Sequence, residues 1–200
     1  MAETTSRPID QAAARRAMID SQLRTSGVTS PWVVSRMRTV AREDFVPASA
    51  KGVAYVDRAI PLGDGKYLAA PLFHGSLLQE AAPQLGESAI VVDGGSGYLS
   101  ALLEPLVAEM TVLTPEEALS AKGGKKADLI LIDGAVEEIP AAVAKKLADE
   151  GRLVTGLVSG GVTRLARGRK AGANAVALMP LAEMGIPRLP QFDRAKSWSF

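Results

Sequence analysis

The chain contains no cysteine and only one histidine, His74. Without cysteine there are no disulfides, thiolate metal ligands or cysteine nucleophiles, and one histidine argues against a histidine-rich metal centre. Aromatic residues make up only 4% of the sequence, and 23 basic residues balance 22 acidic ones to a net charge of +1. We therefore expect no global attraction to nucleic acid or to an anionic membrane. We predict no metal site and assign no catalytic residue.

Long apolar runs are also missing, and no segment approaches the length that spans a bilayer. The first residues, Met1 to Ser6, are polar and lack the apolar core of a signal peptide. A soluble, cytoplasmic protein is the expectation. Two hundred residues with 47% hydrophobic content suffice for one well-cored domain over 1–200. Within it we expect a helical and hairpin part at 8–85 and an α/β sheet at 86–200.

The N-terminal part is predicted to hold two amphipathic helices and a hairpin. The first helix covers 10–26 and ends at Gly27, and the second begins at Ser30-Pro31, a typical N-cap followed by an N1 proline. Short apolar arms around Gly63-Asp64-Gly65 predict a β-hairpin.

Several polar groups in this part are given no functional role. Three arginines are interpreted as a solvated helix face: Arg36, Arg38 and Arg42. His74 lies where a helix over Gly75 to Gln84 should begin. We interpret it as a capping or surface residue in preference to a general base, because no orienting carboxylate is visible in the sequence.

From Ala89 onward strands and helices alternate. The predicted strands are 89–93, 110–113, 128–133 and 152–158, and the predicted helices are 99–107, 115–121 and 139–148. Strands that are apolar throughout, such as Leu129–Ile132, indicate a parallel sheet covered by helices on both faces. After Gly160-Gly161, strands at 162–169 and 173–181 should pair antiparallel at the sheet edge. The sequence thus predicts a doubly wound, mostly parallel, Rossmann-like α/β fold with antiparallel C-terminal strands.

A glycine-rich turn follows the buried run Ala89–Val92. Such a turn between a strand and a helix brings backbone N–H groups close to a ligand, although a purely structural turn also favours glycine. The candidate cofactor-binding residues are Asp93, Gly94, Gly95, Ser96 and Gly97, together with Asp133 at the end of a later strand. Asp133-Gly134 also fits a polar turn that closes a buried strand.

A series of motifs along nearly the whole chain resembles the protein-L-isoaspartate O-methyltransferase family. The matching segments are Ser21–Arg24, Gly27-Val28, Arg42–Pro47, Ala54–Asp57, Ile60–Gly65, Ala70-Pro71, Gly95–Tyr98 and Gly151–Val154. The resemblance implies a methyltransferase fold that binds S-adenosylmethionine (SAM). It also implies transfer of the methyl group to the carboxylate of an isoaspartyl residue in a damaged protein or peptide.

The chain departs from this family pattern where the chemistry is expected. The family carries a small hydroxyl residue and a histidine at the positions of Ala69 and Leu72. It has a glycine at the position of Asp93, where a carboxylate takes up space and places negative charge near the carboxylate of SAM. It has an acid that accepts the ribose hydroxyls at the position of Leu113.

The connector between the second and third strands of the sheet, Thr114 to Lys126, is much shorter than in the family. Thirteen residues hold one short helix and a loop, so the strand and turn that frame the adenine are predicted to be missing. We expect an exposed sheet edge, protected by the lysines of Lys122–Lys126 or by pairing with a second copy of the chain.

Three functions follow from these observations. One is the family's methyltransferase activity, with catalysis weak or lost. A second is a catalytically silent module for binding or assembly. In the third, the glycine turn would bind a nicotinamide dinucleotide with Glu116 as the ribose acceptor, but the full Gly-x-Gly-x-x-Gly pattern is missing.

Overall fold

The computed structural model describes residues 10–120 and 124–194. The strands in these ranges are β1 Ile60–Gly63, β2 Lys66–Leu68, β3 Ser88–Val92, β4 Glu109–Leu113, β5 Ala127–Val136, β6 Leu147–Ser159, β7 Val162–Lys170 and β8 Val176–Glu183. The α-helices are α1 Gln11–Met18, α2 Pro31–Thr39, α3 Pro71–Ala81, α4 Tyr98–Leu103, α5 Pro115–Ser120 and α6 Ala141–Ala144. No helix in the described ranges has the length and apolar character needed to cross a membrane.

Six strands form the central sheet in the order β4-β3-β5-β6-β7-β8. Strands β4, β3, β5 and β6 run parallel, whereas β7 and β8 are antiparallel to their neighbours. Buried side chains cover both faces, because Ala89 and Val91 belong to one core cluster and Ile90 and Val92 to the other. The predicted doubly wound, mostly parallel sheet with antiparallel C-terminal strands is confirmed.

The N-terminal helices and the hairpin lie where the sequence predicts them. Gly27 takes a φ of +89° after a π-helical turn and a 3-10 turn that extend α1, so the helix predicted over 10–26 is present but irregular. Helix α2 begins at Pro31 with Ser30 as its N-cap residue. Strands β1 and β2 pair antiparallel around Gly63-Asp64-Gly65, whose three residues all have positive φ.

Helix bounds in the α/β part differ from the prediction at several places. The helix predicted over 139–148 is only α6, because Leu147 already belongs to β6 and lies opposite Ala127. The helix predicted over 99–107 ends at Leu103, where a 3-10 turn takes over. Helix α3 begins at Pro71, four residues before the predicted start at Gly75. Strand pairing of Leu147, which a local pattern does not contain, ends α6 early, whereas α3 begins at an N1 proline.

The connector after β4 holds the single helix α5 in its described part, as predicted. Residues Ala121 to Gly123, which include one of the lysines expected to protect the edge, lie outside the described residues. Strand β4 is therefore the outermost parallel strand among the described elements.

Candidate functional site

The glycine-rich turn connects β3 to α4 at the carboxyl edge of the sheet. Gly95 and Gly97 have φ values of +111° and +71°, which favour glycine. Gly94 packs against the backbone of β5, since a Cβ atom added there would lie 2.3 Å from the carbonyl oxygen of Asp133. The turn therefore requires glycine at Gly95 and Gly97 for their backbone conformation and at Gly94 for close packing.

The carboxylate of Asp93 folds back onto the turn that it precedes. It accepts hydrogen bonds from the backbone N–H of Gly95 at 3.1 Å and of Gly97 at 3.1 Å. Those two N–H groups are among the backbone donors of the turn that the sequence predicts for cofactor binding. In this arrangement they already have an anionic acceptor supplied by the chain itself.

Lys66 of the hairpin covers the outer side of the same turn. A Cβ atom added to Gly95 would lie 2.6 Å from Cδ of Lys66, so the aliphatic part of this side chain lies directly against the glycine. The pKa of Glu116, at the start of α5, is lowered mainly by the hydrogen bonds from its own backbone N–H group and from the side chain of Gln191. The positive charge of Lys66 makes a smaller contribution in the same direction. Lys66 is exposed to solvent, and the aliphatic part of its side chain rests on the candidate site.

A segment near the C-terminus, Ile186–Phe192, crosses the carboxyl edge of the sheet, and we call it the C-terminal strap. Ala135 of β5 donates to the carbonyl of Pro187 at 2.7 Å, and Leu189 donates to the carbonyl of Ala135 at 2.9 Å. The Leu189 side chain packs on Gly134, where an added Cβ atom would lie 2.6 Å from its Cγ.

The far end of the C-terminal strap reaches the helix that follows β4. The Gln191 side-chain amide donates to Glu116 at 2.8 Å, and Phe192 is buried in the core cluster on that face. Leu189 also comes within 3.8 Å of a Cβ atom added to Gly94. The strap therefore lies against the ends of β3 and β5, at the edge where ligands of open α/β sheets usually bind.

A buried polar network lies directly beneath the glycine turn. His74 of α3 is fully buried, and its Nε2 lies 2.9 Å from Oδ1 of Asp133. Its Nδ1 lies 3.3 Å from the Arg42 guanidinium, which only donates, so Nδ1 accepts and the Nε2–H group donates to Asp133. Ser96 of the turn donates to the other oxygen of Asp133 at 3.3 Å.

Arg42 belongs to the same network and lies in the protein core, away from solvent. It is fully buried, donates to the backbone carbonyl of Ala54 at 2.7 Å and to that of Ala69, and lies 5.2 Å from the ring centroid of Tyr98. Burial lowers the pKa of its guanidinium to about 10, so it remains charged at neutral pH beside the Asp133 carboxylate. Burial likewise raises the pKa of the Tyr98 hydroxyl to about 12.

Two interpretations of polar residues were wrong. His74 was assigned to a cap or to the surface for want of an orienting carboxylate, but Asp133, 59 residues away in sequence, provides one. Arg42 was assigned to a solvated helix face with Arg36; it is instead buried in a 3-10 turn, and Arg36 donates to the carbonyl of Ala101 at 2.8 Å. The matching carboxylate and carbonyls lie far away in the chain, so no local signal could have revealed these contacts.

The buried network is suited to holding elements together and not to proton transfer. Both nitrogens of His74 have partners, and the ring is fully buried between α3 and β5. A general base needs an approach to the substrate, which this ring lacks. Of the predicted candidates, the structure brings Ser96 and Asp133 together through this network.

A cavity of about 770 Å³ lies between the hairpin and the C-terminal strap. Its wall is mainly apolar and includes Tyr67, Leu72, Phe73, Ile186 and Pro187. Leu72 therefore presents an apolar side chain to the cavity where the family pattern has histidine, and Ala69 is buried without a hydroxyl.

Charged residues stand at the same cavity. Asp57 accepts from the backbone N–H of Leu72 at 3.2 Å, and Arg188 is paired with Glu137 at 2.7 Å. Within residues 10–120 and 124–194, no acidic side chain pairs with Arg58, which is exposed at this cavity. The cavity thus combines an apolar wall with one guanidinium that is open to an anionic group.

Comparison with known proteins points to one family. The family model described as protein-L-isoaspartate(D-aspartate) O-methyltransferase matches residues 13–119. A protein-L-isoaspartate O-methyltransferase of Aeropyrum pernix is 48% identical over 95 residues, which cover 47% of this chain and 36% of the relative. One from Methylorubrum extorquens is 29% identical over 178 residues, covering 76% and 78%. Protein-L-isoaspartate O-methyltransferase 2 of an Anaeromyxobacter species is 31% identical over 165 residues, covering 70% and 68%.

Solved structures agree on the fold. A Plasmodium falciparum protein assigned as a beta-aspartate methyltransferase, in complex with S-adenosyl-L-homocysteine, superposes with a TM-score of 0.68 at 15% identity, covering 91% of this chain and 99% of that one. A second protein-L-isoaspartate O-methyltransferase gives a TM-score of 0.69 at 13% identity, covering 90% and 65%. The chain therefore shares the overall methyltransferase fold with both.

Proposed function

Because the chain belongs to the protein-L-isoaspartate(D-aspartate) O-methyltransferase family, we propose that it binds isoaspartyl segments of polypeptides while its methyl transfer is weak or lost. Family membership implies a SAM-binding fold, and the Plasmodium neighbour holds the demethylated product of that donor. The observation that carries the proposal is the Asp93 carboxylate, which accepts the hydrogen bonds of Gly95 and Gly97.

The residues at the turn do not fit SAM in this arrangement. A ligand carboxylate needs the N–H groups that Asp93 occupies, and it would meet the negative charge of Asp93 itself. Leu113 at the end of β4 has no side-chain acceptor for ribose hydroxyls. Leu189 of the strap fills the crevice beside Gly134. The same occupied donors argue against a dinucleotide pyrophosphate at this turn.

The cavity between the hairpin and the strap supports the binding half of the proposal. An isoaspartyl residue carries a free α-carboxylate beside an ordinary peptide chain. Arg58 offers that carboxylate a guanidinium with no acidic partner among the described residues, and the apolar wall around Tyr67 and Phe73 suits neighbouring side chains. The turn occupied by Asp93 and the cavity at Arg58 together support a binding protein built on an enzyme fold.

Calorimetric titration of SAM and S-adenosyl-L-homocysteine tests the closed turn. We expect the unaltered chain to bind neither ligand more tightly than about 1 mM. Asp93→Gly, which frees both N–H groups and removes the charge, should bind at least about ten-fold more tightly, and Asp93→Asn, which keeps an acceptor oxygen, should fall between them. Micromolar binding of SAM by the unaltered chain, together with methylation of an isoaspartyl peptide, would contradict the proposal.

Fluorescence anisotropy with labelled peptides tests the cavity separately. A peptide that contains an isoaspartyl residue should bind more tightly than the same sequence with an ordinary aspartate. Arg58→Gln should raise its Kd about ten-fold, equivalent to about 1.4 kcal/mol. Arg38→Gln, an exposed arginine on α2, is the matched control and should leave the Kd unchanged. Equal affinity for the two peptides would refute recognition of the isoaspartyl group.

A further inference from the structure

The outer edge of β4 carries backbone N–H and C=O groups that no described strand pairs with. Among the described strands, β4 has a neighbour only on the β3 side. Its residues are exposed or half-buried, and the side chain of Val112 is 45% exposed although it is apolar. An accessible strand edge of this kind is a template for pairing with another strand.

The direction of the free groups follows from the ladder between β3 and β4. Asp93 donates to the carbonyl of Leu113 at 2.9 Å, and Glu109 donates to the carbonyl of Glu87 at 3.4 Å. In a strand, the backbone groups of alternate residues point to the same side, so the odd-numbered residues face inward. The N–H and C=O groups of Met110 and Val112 therefore point out of the sheet.

The opposite edge of the sheet is protected in a way that β4 is not. Strand β8 contains Pro180 in its middle, and proline has no N–H group to offer to an added strand. Strand β4 contains no proline between Glu109 and Leu113. The two edges thus differ in their capacity to accept a further strand, although both carry exposed apolar side chains such as Met179 on β8.

We infer that two copies of this chain pair along β4 in an antiparallel arrangement about a twofold axis at Thr111. This register places Met110 of one copy opposite Val112 of the other, so each such pair exchanges two backbone hydrogen bonds. The two Thr111 side chains meet at the axis. Apolar pairs and threonine pairs are both favourable across antiparallel strands.

Charge along the edge favours a second copy as the occupant. Glu109 lies at the start of β4 and is already neutralised by Lys125 at 2.6 Å. Glu116 lies just beyond the end of the strand. An antiparallel pair brings Lys125, at the start of β4 in one copy, to the same end as Glu116 of the other copy, twice by symmetry, and the neutralised Glu109 does not oppose this approach. The contact closes on itself, because the proline-protected β8 edges do not continue the sheet.

Sedimentation velocity from about 1 µM to about 100 µM tests this assembly. We expect the unaltered chain to form dimers in this range. Val112→Pro removes an outward N–H group from each copy without touching the ladder to β3, and it should weaken dimerisation at least ten-fold. Val112→Lys keeps the N–H group but places like charges across the interface and should weaken it too. Met179→Lys is the matched change on the β8 edge and should dimerise as the unaltered chain does.

Hydrogen exchange locates the contact directly, and circular dichroism checks that each variant is folded. The amides of Met110 and Val112 should exchange more slowly at high protein concentration than at low concentration, whereas the amide of Met179 should not change. A chain that stays monomeric over the whole range overturns the inference. So does a folded Val112→Pro variant that dimerises as tightly as the unaltered chain.

Discussion

Removal of the Asp133 carboxylate should destabilise the protein strongly. This side chain is 1% exposed, accepts from His74 at 2.9 Å and from Ser96 at 3.3 Å, and balances the charge of buried Arg42. Asp133→Ala leaves a buried imidazole N–H without an acceptor and a buried guanidinium without a counter-charge. A buried donor left without its acceptor costs about 1–3 kcal/mol, and a buried charge left without its counter-charge costs more, so we expect a total loss of about 3–5 kcal/mol. That is a large fraction of a total stability of about 5–15 kcal/mol.

Urea unfolding followed by circular dichroism measures this loss, and the melting temperature should fall by roughly 6–20 °C for a chain of this length. Asp133→Asn keeps an oxygen acceptor for His74 but removes the charge, and it should cost less, about 1–3 kcal/mol. Asp20→Ala, which removes an exposed partner of Arg24, is the control and should stay within about 0.5 kcal/mol.

A double substitution separates charge pairing from packing. Arg42→Met combined with Asp133→Leu removes both charges together, so its cost should be smaller than the sum of the two single costs. If the free energy of unfolding of Asp133→Ala lies within about 1 kcal/mol of that of the unaltered chain, the buried network contributes little to stability, and the reasoning about it is refuted.

Two further predictions concern packing and pH. Gly94→Ala should destabilise the fold because its Cβ atom would lie 2.3 Å from the backbone oxygen of Asp133. Gly86→Ala is the control, since its Cβ atom would meet no atom within 4 Å. Equal melting temperatures for the two variants would contradict this prediction. The hydrogen bond from Arg152 lowers the pKa of Glu87 below its usual 4.5, so this carboxylate stabilises the fold above about pH 4.5 and the contribution is lost on acidification through the lowered pKa. In Arg152→Met, the free energy of unfolding should therefore fall less steeply as the pH drops below about 4.5. The same pH dependence in the variant and the unaltered chain would be inconsistent with a stabilising Arg152–Glu87 pair.

The glycine turn and the cavity differ in the groups that already occupy them. An acidic residue at the turn supplies from within the chain the negative group that a ligand would otherwise bring. The strap then adds apolar contacts across the same crevice through Leu189. Both contacts stabilise the turn and the strap in the arrangement described, whereas Arg58 at the cavity is exposed.

The sequence by itself determined the strand order along the chain, the parallel character of the sheet and the position of the glycine turn. Runs such as Leu129–Ile132 are apolar at every position, and that pattern fits only strands buried on both faces. Turn positions such as Gly27 and Gly97 have positive φ, a conformation that glycine adopts without strain. These signals are local, so they can be read without knowing what the segments contact.

Only the tertiary structure decided how the site is arranged. His74 meets Asp133 across 59 residues, Arg42 is drawn into the core to meet both, and Leu189 crosses from the C-terminal part to Gly134. Even the fold-back of Asp93 depends on a turn shape that β5 fixes from the other side. Such contacts depend on which distant elements pack together, and the periodicity of a single segment carries no information about its partners.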